Sequence, residues 1–228
     1  MKRLVILLAA TLLPIFASAQ AQINTNKVKI SDFTQKTTMV VLSGNMFYDT
    51  ALEDEIVARW KASPYGFCSV EEFEKLKGSE EYYFLLTTKG QFKKEAEPGL
   101  QFMTLVKGGP KAEGGIAEML EVVSLPIASA EDPSGRETVF LPVFLDIIQE
   151  QAIESMESDI SGYTGLSNYS LNLHKTEDMI IVFSEDDLST EITDAVKELN
   201  FDDEMIIAEE EDADEYLSNE TQNAVVSY

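Results

Sequence analysis

The chain has 228 residues, 44% hydrophobic and 9% aromatic, with 17 Lys and Arg against 41 Asp and Glu and a formal net charge of −24. A surplus of that size repels phosphate backbones and anionic lipid, which excludes nucleic acid and acidic membrane as partners. A single cysteine, Cys68, and a single histidine, His174, exclude an internal disulfide and the usual zinc clusters.

Lys2 and Arg3, an apolar run over residues 4–16 and then Ala17-Ser18-Ala19 follow the charged, apolar and small-residue order of a secretory signal peptide. Residues 1–19 are set apart from the fold on that reading, which implies export to a periplasm or the cell exterior. The run is shorter than the roughly 20 residues a membrane span needs, and no later segment is long and apolar enough. From Gln20 onward 15 basic residues face 41 acidic ones, and residues 177–228 alone hold 18 acids and one base, Lys197. Such acid runs read as solvated faces.

Residues 20–37 are polar and irregular, which predicts a flexible lead-in, with one α/β domain over 38–228. The apolar run 39–42, ending in Ser43-Gly44-Asn45, predicts a buried strand leaving its sheet through a turn. Asp49 is expected to cap a helix carrying Leu52, Ile56 and Trp60 at helical spacing. A short strand at 65–68 follows Pro64, and Cys68 in "YGFCS" reads as a small buried hydrophobe. Ser69 with Glu72 forms a capping box for a helix carrying Val70, Phe73 and Leu76, closed by Gly78. The third strand covers 82–87.

"LQFMTLVKGG" and "MLEVVSLPI" predict two strands able to pair as a hairpin around a Gly-rich connection, residues 108–115. "EDPSGRE" is a turn cluster. Pro142 opens a long helix, 142–157, with Phe144, Leu145, Ile148, Ala152 and Met156 on one stripe. Residues 161–173, rich in Gly, Ser, Asn and Tyr, read first as loop, and Tyr163 to Tyr169 within them are a second candidate surface for protein contact.

The rhythm of residues 39–88 returns at 179–228. Without a gap, Met179 falls beneath Met39, Ile192 and Val196 beneath Leu52 and Ile56, and Ala224 beneath Phe84. Apolar positions agree while identities do not, so the repeat is one of structure. The expected fold class is α/β: two β-α-β-α-β units, mostly parallel, joined by the two-strand segment and the long helix.

A secreted unit of this size, with a helix of "ALEDEIVARW" type and a third strand like "YYFLLTT", resembles the small α/β domains of cell-envelope proteins. The N-terminal domain of the Tol-Pal propeller protein and the curli-secretion lipoprotein share such a unit. The resemblance covers about 50 residues per copy and rests on element order. This chain departs from it in having no lipid-anchor cysteine, propeller repeats or barrel-forming segments. What it implies is a protein-interaction role, and it carries no catalytic residue across.

The remaining motifs give no catalytic centre. "GLSNY" lacks the second glycine of a nucleophile elbow, and "KGGPKAEGG" has glycines without phosphate-loop spacing. "SEDDLSTE" lacks the alternating ligands and central glycine of a calcium loop, and Ser184 or Ser189 as an N-cap, with acids in the first turn, is the better explanation. No cofactor or metal is implied. Ligands of open parallel sheets bind beyond the carboxyl ends of the strands, which places candidate binding residues at Ser43, Gly44, Asn45 and Asp49 and at Ser184, Glu185, Asp186 and Asp187. The expected function is protein–protein interaction in the envelope or outside the cell, without catalysis; the alternative is a cation or small-ligand binder, or a hydrolase, using those carboxylates.

Overall fold

The computed structural model describes residues 27–90, 96–157, 179–199, 205–219 and 224–228. Residues 1–19, read above as a signal peptide, and the stretch 161–173 lie outside them, as does His174. The fold is α/β. In chain order the elements of the first unit are helix α1 (Lys27–Ile30), strand β1 (Thr37–Val41), α2 (Met46–Arg59), β2 (Tyr65–Cys68), α3 (Val70–Leu76) and β3 (Tyr82–Gly90). Strands β4 (Leu100–Lys107) and β5 (Leu120–Ser129) follow, then α4 (Arg136–Val139) and α5 (Leu141–Glu157). The second unit is β6 (Ile180–Ser184), α6 (Thr190–Leu199), β7 (Met205–Ala208), α7 (Glu210–Ser218) and β8 (Ala224–Val226).

Two sheets form. The first has the order β2-β1-β3-β4-β5, the second β7-β6-β8. In the first, β1 pairs in parallel with β2 and β3, while β4 adds an antiparallel hairpin with β5. The second repeats the parallel triplet, with β6 between β7 and β8. The expected repeat is therefore one of topology, and its ungapped alignment fails in detail. Val40 lies between Phe67 and Leu85, and Val182 between Ile206 and Val226, so the strands match only after shifts of one or two residues.

The chain moves from β1 out to β2 and back across β1 to β3, so the two crossovers run in opposite directions and their helices fall on opposite faces. Alternating side chains supply both faces. Val40, Tyr83, Leu85, Met103 and Leu105 pack with Leu52 and Ile56 of α2 and with Leu145 and Ile148 of α5. Val41, Phe84, Leu86 and Val106 pack with Phe73 of α3. Cys68 joins that second cluster, and burial, with the nearby Glu72 charge, pushes its thiol up to about 11. The capping box forms as read: Ser69 Oγ accepts from the Glu72 amide and Glu72 accepts from the Ser69 amide.

The edge strand β5 is long, and unpaired edges invite unwanted pairing. It is interrupted by two register shifts against β4 and carries Pro126, both devices that blunt an edge.

The lead-in differs from its expectation. Residues 27–36 form α1 and a 3-10 turn (Phe33–Gln35), and Ile30 and Phe33 are fully buried in the main core. Phe33 meets Tyr83 edge-on at 5.0 Å and Trp60 at 6.5 Å. Asp32 clasps the segment to the sheet, accepting from Tyr83 Oη at 2.6 Å and from Lys107 Nζ at 2.9 Å. Burial would raise its carboxyl, but the bonds from Tyr83 and Lys107 outweigh that and hold it below the usual range. Phe33→Ala is expected to cost about 3–5 kcal/mol in urea unfolding, the range for a buried Phe; a loss below about 1 kcal/mol would show that this segment does not dock.

Candidate functional site

The carboxyl end of β1 passes into the turn Ser43-Gly44-Asn45, where Gly44 has a φ of +88° that favours glycine. Helix α2 begins one residue later, and its N-cap is Asn45, whose Oδ1 accepts from the Phe47 amide at 3.2 Å. The expected cap, Asp49, stands in the first turn instead. Its Oδ1 accepts from Ser43 N–H and from Ser43 Oγ, and its Oδ2 from Gly44 N–H, each at 2.8 Å. An acid in a first turn complements the helix dipole, and this one also closes the turn on itself. Asp49 is buried, whereas Ser43, Gly44 and Asn45 are exposed.

At the carboxyl end of β6, Ser184 is buried and its Oγ accepts from the Asp186 amide. Glu185 and Asp186 are exposed in the 3-10 turn (Glu185–Asp187). Asp187, also exposed, accepts from Arg136 Nη1 at 3.1 Å and from Ser227 Oγ at 2.5 Å. The eight candidate residues thus form one self-closed set after β1 and a second set after β6 tied to a residue not among them.

That residue is Arg136, only 6% exposed at the start of α4. Its Nε and Nη2 donate to Asp214 Oδ1 at 3.0 and 2.8 Å, and Nη2 also to the Ser227 carbonyl at 3.0 Å. Glu210 stands 3.9 Å from Nε. Phe140 and Tyr228 flank the guanidinium, with ring centroids 5.2 and 5.5 Å away. Burial works against its charge, but the bonds and fields of Asp214 and Asp187 prevail and hold it above its ordinary value. The sequence does contain a trace of this role: Arg136 is the one Lys or Arg between Lys111 and Lys175. The turn composition of "EDPSGRE" hid it.

Tyr48 and Tyr228 connect the two sets electrostatically. Tyr48 hydrogen-bonds Thr87 at the end of β3, and Tyr228 Oη donates to the Ile127 carbonyl of β5. Burial first, then the Glu137 charge, pushes each phenol up to about 12, and Tyr228 also feels Tyr48. Tyr228 packs on Phe140 and Phe144 at 4.5 and 5.1 Å, which ties the residues after β8 to α4 and α5 while Tyr228 stays 47% exposed.

Chemically, two of the strand-end carboxylates, Asp49 and Asp187, are in use. Both oxygens of Asp49 and of Asp187 already accept hydrogen bonds. Among the described residues no cluster of three or more His, Cys, Asp or Glu could hold a metal ion, and no helix is long and apolar enough to cross a membrane. Comparison with known proteins returned no match to a family model, a curated protein or a solved structure.

Removing Arg136 leaves Asp214 buried without a counter-charge, a loss of about 3–5 kcal/mol. Arg136→Met is expected to lower the urea midpoint accordingly and to unfold the second unit before the first, read as separated far-UV and Trp60 fluorescence transitions; coincident transitions at the wild-type midpoint would show that the contact does not couple the units. The phenols add a pH dependence. Unfolded tyrosine ionises near 10 and folded Tyr48 and Tyr228 near 12, so stability present below pH 10 falls as pH rises toward 12. Absorbance at 295 nm should show tyrosines that titrate late and merge with the rest in urea.

Proposed function

We propose that the chain is a non-catalytic protein-binding module that works outside the cytoplasm and presents the carboxyl-end rim of its first sheet to a protein partner. The observation that carries the reading is the state of that rim. Its carboxylate Asp49 is consumed in internal bonds, while Met46 and Phe47 stand out of it at 75% and 87% exposure. Burying a side chain such as Phe is worth about 1.5–3 kcal/mol, and neither side chain collects that within the fold.

The pair is rigidly mounted. The Phe47 amide is held by Asn45, the preceding turn by Asp49, and Leu52 and Ile56 seat the helix in the core. A preorganised anchor loses little entropy on binding, which suits an interface hot spot. The charged, apolar and small-residue order of residues 1–19 supports the location, and the acidic surface favours a protein partner over nucleic acid.

The test is a photo-crosslinking residue placed at Phe47 and, separately, at exposed Glu81 at the amino end of β3. A discrete adduct with one protein at position 47, absent at 81, is expected, and Phe47→Asp should weaken the purified pair by about 10–100-fold. Absence of any adduct at position 47 in the intact cell, with the protein folded, would overturn the reading.

A further inference from the structure

A second feature lies at the opposite end of the first sheet, at the amino end of β3, and is independent of the rim. The connection from β4 to β5, with its 3-10 turns (Pro110–Gly114) and (Ile116–Glu118), curls beside α1 and encloses a cavity of about 550 Å³. Its walls are fixed. The Gly108 amide donates to the Tyr82 carbonyl and the Gly109 amide to the Lys77 carbonyl, each at 2.9 Å. The connection runs so close to the end of α3 that a Cβ on Gly108 would lie 2.2 Å from the Ser79 carbonyl oxygen. Glycine is required there for that approach.

The lining combines two chemistries. Ala112, Met119 and Leu120 give an apolar floor, and Lys29, Lys107 and Lys111 stand around it with one carboxylate, Glu80. Several cations of this acidic protein are already matched to carboxylates. Lys36 pairs with Asp32 and Glu81, Arg59 with Glu55 and Asp146, Lys77 with Glu74, and Arg136 with Asp187 and Asp214. Lys107 is matched too, its ammonium bonded to both Asp32 oxygens and to the Lys29 carbonyl. The ammonium groups of Lys29 and Lys111 have no such partner among the described residues, and both line this one cavity. Set against Glu80, they leave it locally positive in a chain of charge −24.

We propose that this cavity binds a small amphiphilic anion, a carboxylate or phosphate on an apolar body, with Lys29 and Lys111 taking the head and Ala112, Met119 and Leu120 the body. The volume falls in the range of small-molecule sites, which are mostly apolar with a few polar groups that fix orientation. A positive cleft in an acidic surface also concentrates an anion that the rest of the molecule repels. A neutral apolar ligand would leave both ammonium groups unmatched, and an inorganic anion would leave the floor unused.

The experiment uses the full chain and two fluorescent probes of similar shape, anionic 8-anilinonaphthalene-1-sulfonate and neutral N-phenyl-1-naphthylamine. The sulfonate is expected to bind saturably at one site and the neutral probe more weakly. Lys29→Glu combined with Lys111→Glu should weaken the sulfonate at least tenfold. Lys61→Glu combined with Lys75→Glu, an equal change of charge outside the cavity, should leave binding within about twofold. Decanoate and decyl phosphate compete in separate arms, and the stronger competitor identifies the head group. Equal affinity in the cavity variant, equal binding of the two probes, loss in the control variant or competition by neither anion would overturn the proposal. Near-UV circular dichroism of each variant confirms that the fold is retained.

Discussion

One buried guanidinium turns two separately wound sheets into one molecule. Arg136 leaves water at a cost of several kcal/mol, which attraction recovers only with well-placed partners. Those partners come from three places in the second unit: Asp187 after β6, Asp214 in the middle of α7 and the Ser227 carbonyl after β8. Each follows or lies within a different element, so the contact is complete only when that unit is folded and docked. On the other side Phe140 packs against the guanidinium and, with Phe144, against Tyr228, so the same junction joins charge to aromatic burial.

The second unit needs that help because its own charge works against compaction. Eighteen acids and one base crowd residues 177–228, and like charges in a compact body repel unless solvated or screened over roughly 8–10 Å. Part of the surplus is placed where it is favourable. Glu210, Glu211 and Asp212 occupy the first turn of α7, and Glu185, Asp186 and Asp187 form the turn after β6. The buried acid, Asp214, is neutralised by Arg136, a cation from outside the unit. An acidic tail region thereby becomes a docked unit, with Leu217 and Val226 against the main core.

What could be read from the chain alone was what is encoded locally. The capping box at Ser69 and Glu72, the four-residue strand β2, the hairpin of β4 and β5 and the stripe of α5 each depend on residues within one window, and each appears in the structure. The α2 cap is ambiguous in sequence because Asn45 and Asp49 are both capping types, and the structure gives the cap to Asn45, just after the left-handed turn at Gly44. Ile30 and Phe33 gave too few apolar positions to establish a period, although the core claims both. Arg136 was beyond reach for a different reason: its partners lie 51 and 78 residues away, and a guanidinium in a turn cluster gives no hint of where it points.

The repetition of topology did not bring repetition of a site, and the difference lies in how each copy handles the carboxyl end of its central strand. In the first copy Asp49 turns back on Ser43 and Gly44, which satisfies the turn internally and leaves α2 free to project Met46 and Phe47 into solvent. In the second copy the corresponding end is given over to Arg136 and Ser227, so it is spent on holding the molecule together. A strand end closed by its own residues can display a binding group without weakening the fold, whereas one tied into the junction between units cannot be altered without loosening them. That division of labour leaves the exposed pair Met46 and Phe47 on the first sheet.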